Sequence, residues 1–446
     1  MTGQGVVRWT AEQVLALAPD AASRKAGGKL AAPGPWSEAA AADGALWGLC
    51  KGSGSKPYQT VVDIEGPGYQ CSCPSRKFPC KHALGLLLLW AADEGTVGAA
   101  TREPPEWAGQ WLAGRRARGR RPGGDGAERK QPADPVAARR RAERRAQRIA
   151  AGATELEQRL ADLLRGGIAS ADQAGYARWD EMAARMVDAQ APGLAARIRE
   201  LSAIPGTGAG WPARLLEECA LLHLLNQGYL GLDRLPGPLA ATVRSHVGLT
   251  TDAATLLDGE GIRDGWLVLG QRDTDEGRLA VRRIWLLGQR RGRLALLLSF
   301  GAAGRAPELT LPVGSVLDAE LAYYPAARPL RATLGERHTP PVPGGVPAGV
   351  RVGEALAAYG AALCDDPWLD GWPTVLRGVT PIPDGEFWQI ADQEGDAALP
   401  LVPGARTSRW RLAAISGGGP VTVFGECGHR GFTPHTVWSE GEAVPL

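Results

Sequence analysis

No stretch of this 446-residue chain reaches the roughly 18–20 consecutive apolar residues that a bilayer-spanning helix needs. The densest run, Leu84 to Ala92, is about half that length and is interrupted by Gly85. The N-terminus lacks a basic cluster followed by an apolar core, so nothing there reads as a secretory leader. Together these absences set the expectation of a cytoplasmic protein with no membrane partner. An excess of one charge is lacking too: 50 Lys and Arg face 48 Asp and Glu, and a net charge of +2 selects no class of partner. Catalytic signatures are missing, with no Gly-x-Ser-x-Gly elbow and no His-Glu-x-x-His. The paired acids Asp365-Asp366 stand beside Pro367 and read as helix-end or turn residues. The chain is therefore expected not to be an enzyme.

Ala, Gly, Pro and Arg are plentiful and carry little functional information. The 7 cysteines are odd in number, which argues against a pure disulfide framework. Three of them fall between Cys71 and Cys80, and clustered thiols in a cytosolic chain read first as a metal or redox site.

The length suggests about three domains, and patterning divides the chain into residues 1–95, a linker at 96–150, a helical domain at 151–260 and a β-rich domain at 261–446. The fold class expected is α+β and multidomain. In the first unit, Thr10 is placed to cap a short helix ending at Leu17, and a second small helix follows around Ser23 to Leu30. Tyr58 to Ile64 alternates as a strand, Gly66-Pro67-Gly68 turns, and Tyr69-Gln70-Cys71 begins the return strand. From Lys81 the spacing of Leu84, Leu87, Leu88 and Ala91 becomes helical. Residues 96–150 are rich in Pro, Gly and Arg. Trp107 and Trp111 could pack back on the first unit as a helical turn; the rest has too few apolar residues for a core and reads as disordered, or helical only near Ala137 to Ala151.

Apolar stripes at Leu156/Leu160/Leu163/Leu164, Tyr176/Trp179/Met182/Ala183/Met186, Leu194/Ile198/Leu201 and Leu215/Leu216/Cys219/Leu222/Leu225 predict a small helical bundle or a helical-repeat array, although no clear repeat is present. Beyond Gly265, the runs Trp266–Leu269, Leu279–Leu287 and Leu294–Phe300 predict a meander. Further strands are expected at Val316–Tyr324, Val375–Thr380, Glu386–Ala391, Trp410–Ala414 and Val421–Gly425, with a helix at Val352–Leu363. A sheet, sandwich or partly open barrel would accommodate them.

The segment from Cys71 to His82 supplies three thiols and an imidazole, at Cys71, Cys73, Cys80 and His82. A structural zinc takes four such donors at the corners of a tetrahedron. A Cys-x-Cys pair in a flat strand would point to opposite faces, so the backbone must leave the strand at Ser72. Cys80 and His82 straddle a helix start, where the positive end of the helix favours thiolate. With four protein donors the set is closed: zinc there holds a fold and has no position for substrate.

The pattern Cys-x-Cys, spacer, Cys-x-His resembles the SWIM zinc finger. The wider stretch from Gly48-Leu49-Cys50-Lys51 to His82-Ala83-Leu84-Gly85-Leu86-Leu87 looks like the bacterial members in particular. The resemblance covers about the first 95 residues. It implies an N-terminal ββα finger around one Zn2+, followed here by the central helical bundle and the β-rich region. SWIM fingers are taken to bind DNA or protein partners. Bacterial members are often encoded beside a MoxR-type AAA+ ATPase and a von Willebrand A-type protein, which implies a place in an ATPase-driven assembly.

Other candidates read more plainly. Cys50 is a spare or packing thiol, because the tetrahedron is already full. Gly52-Ser53-Gly54-Ser55-Lys56 mimics a phosphate loop, but the Gly-Lys-Ser/Thr order is absent and a strand follows. Lys51, Lys56, Arg76, Lys77 and Lys81 would make the finger's exposed face basic, for nucleic acid or an acidic partner. Gly206, Gly208 and Gly210 follow a helix, unlike a dinucleotide fingerprint. Cys427, His429 and His435 would need Cys364 or His338 beside them to bind a second metal. His223 reads as a core or edge histidine. The reading that results is a non-catalytic interaction or adaptor protein in an AAA+ ATPase assembly. Its alternatives are a DNA-binding protein using the finger and the Arg-rich linker, and an enzyme with a site assembled in the C-terminal region.

Overall fold

The computed structural model describes residues 9–18, 21–42, 44–52, 56–64, 68–75, 77, 79–92, 97, 103–119, 135–168, 175–249, 251–276, 279–302, 307, 309–385, 387–393, 395–403 and 406–446. No helix among them is long and apolar enough to cross a membrane.

The N-terminal unit begins with α1 (Ala11–Ala16) and α2 (Ala21–Gly28). Thr10 caps α1 in a reciprocal box with Gln13, satisfying two otherwise orphaned amides. Four antiparallel strands follow in sequence order: β1 (Trp36–Ala42), β2 (Ala45–Cys50), β3 (Tyr58–Asp63) and β4 (Gly68–Cys71). The expected hairpin, β3–β4, is thus half of a larger sheet. Helix α3 (Lys81–Ala92) packs on one face of the sheet, where Leu86 lies against Gly48 of β2, and Leu84 turns to Gly27 of α2; Leu46 and Val62 share this core. The helix is buried from His82 to Trp90 because α1 and α2 wrap its remaining sides. Gly85 permits that wrapping: a Cβ there would lie 2.5 Å from the Leu30 Cβ.

The opposite sheet face, with Ala45, Trp47 and Val61, is covered by α4 (Glu106–Gly119) through Ala108 and Leu112. Trp107 and Trp111 flank that contact, and Arg115 of α4 pairs with Asp63 at 3.0 Å. The helical turn expected at Trp107 and Trp111 is thus a longer helix that packs back on the first unit, inside the segment read as a linker. That segment also holds the first half of α5 (Pro135–Arg165), which runs through the boundary drawn at residue 150. Residues 120–134 of that segment lie outside the described residues.

The helical domain comprises α5, α6 (Gly175–Asp188), α7 (Pro192–Leu201), α8 (Trp211–Leu230) and α9 (Gly237–Val247). The four stripes read from sequence do line the core, with Leu156, Leu160, Trp179, Met186, Ile198, Leu222 and Leu225 buried together. Leu164 and Leu216 instead face outward. Helix α9 closes the bundle and carries no stripe long enough to announce itself. Gly193 lets α7 approach α9, since a Cβ there would strike the His246 carbonyl. Within this apolar core sits Asn226, fully buried, donating to the Ala153 carbonyl at 2.8 Å and to Glu157 at 2.6 Å. Removing it leaves those acceptors short of a donor. Asn226→Ala is expected to cost about 1–2 kcal/mol, read as a lower urea midpoint for the bundle.

After a short α10 (Ala253–Leu257), the β-rich region forms two sheets. Strands β5 (Ile262–Glu276), β6 (Leu279–Gly288) and β7 (Leu294–Ala302) form the expected meander. Strand β8 (Ser315–Tyr323) pairs with β5, β9 (Arg331–Arg337) pairs antiparallel with β8, and β9 runs parallel to β7. The ring β5-β6-β7-β9-β8 is closed, with the connectivity of an OB-type barrel. β10 (Val342–Pro343) adds to β8. The core inside holds Trp266, Val268, Ile284, Leu297, Leu317 and Leu321.

The second sheet, ordered β13-β12-β11-β14-β15-β16, is antiparallel throughout. Its strands are β11 (Gly371–Ile382), β12 (Gln389–Asp392), β13 (Ala398–Pro400), β14 (Val421–Gly428), β15 (Gly431–Ser439) and β16 (Glu442–Pro445). Helices α11 (Val352–Asp365) and α12 (Arg406–Ser416) bury one face. The other face presses Val375, Phe424 and Trp438 onto Leu267, Leu269 and Trp285 of the barrel exterior. The strand expected at Trp410–Ala414 is part of α12. Leu412 is buried while Trp410 stands exposed, as one face of a surface helix requires.

The helical and β-rich domains are joined by Trp368. It lies in the bundle core, donates its indole N–H to the Leu221 carbonyl at 2.9 Å, and follows Asp366, which binds His246 at 3.0 Å.

Candidate metal centre

Two short elements bring the four donors together. Strand β4 ends at Cys71, which pairs with Thr60 of β3. The chain then leaves the sheet: the Ser72 amide donates to the Gln59 carbonyl at 3.0 Å, and the Ser72 hydroxyl accepts from the Gln59 amide at 2.9 Å. This reciprocal pair anchors the exit and lets Cys73 swing to the same side as Cys71. Across the site, Cys80 precedes α3 and its carbonyl takes the first helical hydrogen bond, from the Leu84 amide at 3.0 Å. His82 follows in the first turn, 4% exposed.

The three sulfurs and one imidazole nitrogen lie within 4.8 Å of one another. His82 turns Nδ1 toward the thiols, 3.6 Å from the Cys71 sulfur and 4.0 Å from the Cys80 sulfur. A tetrahedral zinc with Zn–S of about 2.3 Å and Zn–N of about 2.0 Å requires S···S edges of about 3.8 Å and S···N edges of about 3.6 Å. The spacing fits. So does the donor chemistry, since thiolate with imidazole suits a borderline-soft dication better than magnesium or calcium.

The electrostatics point the same way. Cys71 is held far below the ordinary thiol range, to about 4, chiefly by a hydrogen bond from Cys80. Burial opposes that shift, while His82 and Thr60, whose hydroxyl is 3.3 Å away, support it. Cys80 is pushed up by that same hydrogen bond to Cys71 and by burial, and Cys73 is pushed up by burial. The pocket by itself favours one thiolate and resists the others. A dication at its centre is what lets all three sulfurs ionise.

Two surrounding residues escaped sequence reading. Tyr58 lays its ring over His82, centroids 4.8 Å apart, and Thr60 contacts the Cys71 sulfur. The β3–β4 register, which sets Thr60 opposite Cys71, was the only signal for the latter. Cys50 stays apart from the donor set. It is buried at the end of β2, and its thiol is pushed up to about 11 by burial first and then by Cys71, so it remains protonated.

Lys51, Lys56, Lys77 and Lys81 are all exposed; Arg76 and Ser53-Gly54-Ser55 lie outside the described residues. The other sequence candidates do not converge. Cys427 is buried in the second sheet's core, His429 is beside Arg430, and His435 pairs with Glu426 at 3.0 Å while stacking on Trp285. Cys364 is exposed on α11. His223 is an edge residue of α8, paired with Glu157 at 2.7 Å. Gly206 to Gly210 form the turn between α7 and α8.

Comparison with known families agrees with this geometry. Residues 61–91 match the SWIM zinc finger, and residues 144–247 match the SWIM-associated four-helix bundle domain. The first match spans the end of β3, β4, the donor set and nearly all of α3; the second spans most of α5 through α9. No curated protein and no solved structure gives a match.

Proposed function

We propose that this SWIM zinc-finger chain is a non-catalytic adaptor whose finger docks a protein partner, within an assembly driven by an AAA+ ATPase. The observation that carries the reading is the closed donor set: four protein ligands leave zinc no open position, so its task is to hold the surface around it. That surface exposes Lys51, Lys56, Lys77 and Lys81, which suits an acidic partner face. The AAA+ partner rests on the resemblance to bacterial SWIM proteins. Affinity capture of the full chain from its native cells, with and without nuclease, is expected to retain an AAA+ ATPase in both samples. Charge reversal of the four lysines is expected to release it. Capture of no ATPase, or one that nuclease abolishes, overturns the reading.

One observation favours nucleic acid as the second reading. The first half of α5 exposes Arg140, Arg141, Arg144 and Arg148 along a helix, next in the chain to the finger unit. Such a helix neutralises phosphates and releases counterions, so binding would weaken steeply with salt. A labelled duplex incubated with the full chain would then shift at about 50 mM salt and be released by about 200 mM. No shift at the lower salt sinks this alternative.

A further inference from the structure

We propose that Glu320, Glu336 and His338 form a second divalent-cation site, built from oxygen and imidazole donors on the outer face of the barrel. Strand alternation puts them there. Ala319 and Leu321 of β8 point into the barrel core, so Glu320 between them points out, as does Asp318. Ala319 pairs with Arg337 of β9, which sets Glu336 and His338 on either side of that pair. One donor atom from each of the three residues lies within 4.8 Å of the others, and His338 Nε2 is 3.2 Å from Glu320 Oε1.

The surrounding charges leave room for a cation. Arg263 of β5 stands opposite Glu320 in the ladder, but its guanidinium grips Asp318 through two bonds of 2.9 and 2.7 Å. Three carboxylates, Asp318, Glu320 and Glu336, thus gather around Arg263 and His338, with Arg290 also acting on Asp318, and Glu320 and Glu336 bring like charges together from neighbouring strands. Such a pair is destabilising unless a cation bridges it. A metal held by three protein donors keeps coordination positions free, unlike the closed thiolate centre. Two carboxylates and an imidazole suit Mn2+, Fe2+ or Zn2+, whereas the finger's thiolates select zinc.

That difference supplies the test. Zinc-replete full-length protein is titrated with Mn2+, and free Mn2+ is followed by electron paramagnetic resonance while zinc content is measured in parallel. Saturable uptake of about one Mn2+ per chain is expected below about 1 mM. It should weaken by about tenfold or more in Glu336→Gln and in His338→Ala, with zinc retained. Glu336 is exposed and Glu336→Gln leaves the His338–Glu320 bond in place, so lost folding would not account for its effect. No saturable uptake, or uptake unchanged in both variants, overturns the proposal.

Discussion

Replacing Cys80 with serine is expected to strip zinc from the chain and unfold the N-terminal unit while the bundle and β-rich domains stay folded. Structural zinc contributes an apparent binding free energy of about 10–16 kcal/mol in small finger peptides, and that energy is folding energy. Cys80 is buried and sits at the start of α3, the helix against which α1, α2 and the sheet pack. Without the metal, the turn from β4 to α3 loses the centre that closes it. The thiol cluster then keeps the conflict described above, with one favoured thiolate and two resisted ones. The measurement is metal analysis together with tryptophan fluorescence and limited proteolysis. Zinc should fall from about one ion per chain to a small fraction. Emission from Trp9, Trp47 and Trp90, all buried in this unit, should shift to the red. A chelator should reproduce the change, and so should acid, because protons compete for every donor. Cys50→Ser is the control: Cys50 lies outside the donor set, so zinc should stay bound. Full zinc retention by Cys80→Ser would remove that residue from the metal centre.

The metal centre was legible because its chemistry is local. Four donors within twelve residues, a proline after the first pair and a helical period from Lys81 specify the site without any distant contact. Four helices of the bundle were legible for the same reason, each carrying its own stripe, and α9, which carries none of that length, was not. What could not be read depends on partners far along the chain. Strand β1 contains Ala39 to Ala42, a poor strand former read alone, and is a strand because β2 pairs with it. Residues 106–119 are too polar overall to promise a core, yet Ala108 and Leu112 suffice to cap a sheet face already built. Barrel closure turns on the parallel pairing of β7 with β9, for which neither strand carries a local mark. The Glu320, Glu336 and His338 cluster likewise exists only through the β8–β9 register, although the alternation Glu336-x-His338 already placed two donors on one strand face.

The barrel offers the second large effect, at Arg282. This arginine on β6 is 2% exposed, opposite Asp273 of β5, and its Nε and Nη2 each donate to the Asp273 carboxylate at 2.7 Å. Its remaining nitrogen donates to the Leu309 carbonyl at 3.3 Å, to the Pro307 carbonyl at 3.4 Å and to the Thr310 hydroxyl. One side chain thereby ties the barrel end to the segment that leads into β8. The two partners are unequal, since Asp273 is 45% exposed and its carboxylate reaches water. Removing the arginine leaves an acid that solvent can satisfy, plus acceptors that lose one donor, so Arg282→Met is expected to cost about 1–2 kcal/mol. Removing the acid strands a buried guanidinium. Breaking a buried pair in this sense costs about 3–5 kcal/mol, and water admitted at the Asp273 side lowers that to about 2–4 kcal/mol for Asp273→Ala. The double variant, with no charge left to bury, should be more stable than Asp273→Ala alone. Thermal unfolding of the four proteins decides the matter. If Arg282→Met is instead the most damaging, the bonds to Leu309, Pro307 and Thr310 outweigh the ion pair, and the arginine acts chiefly as a clasp for that segment.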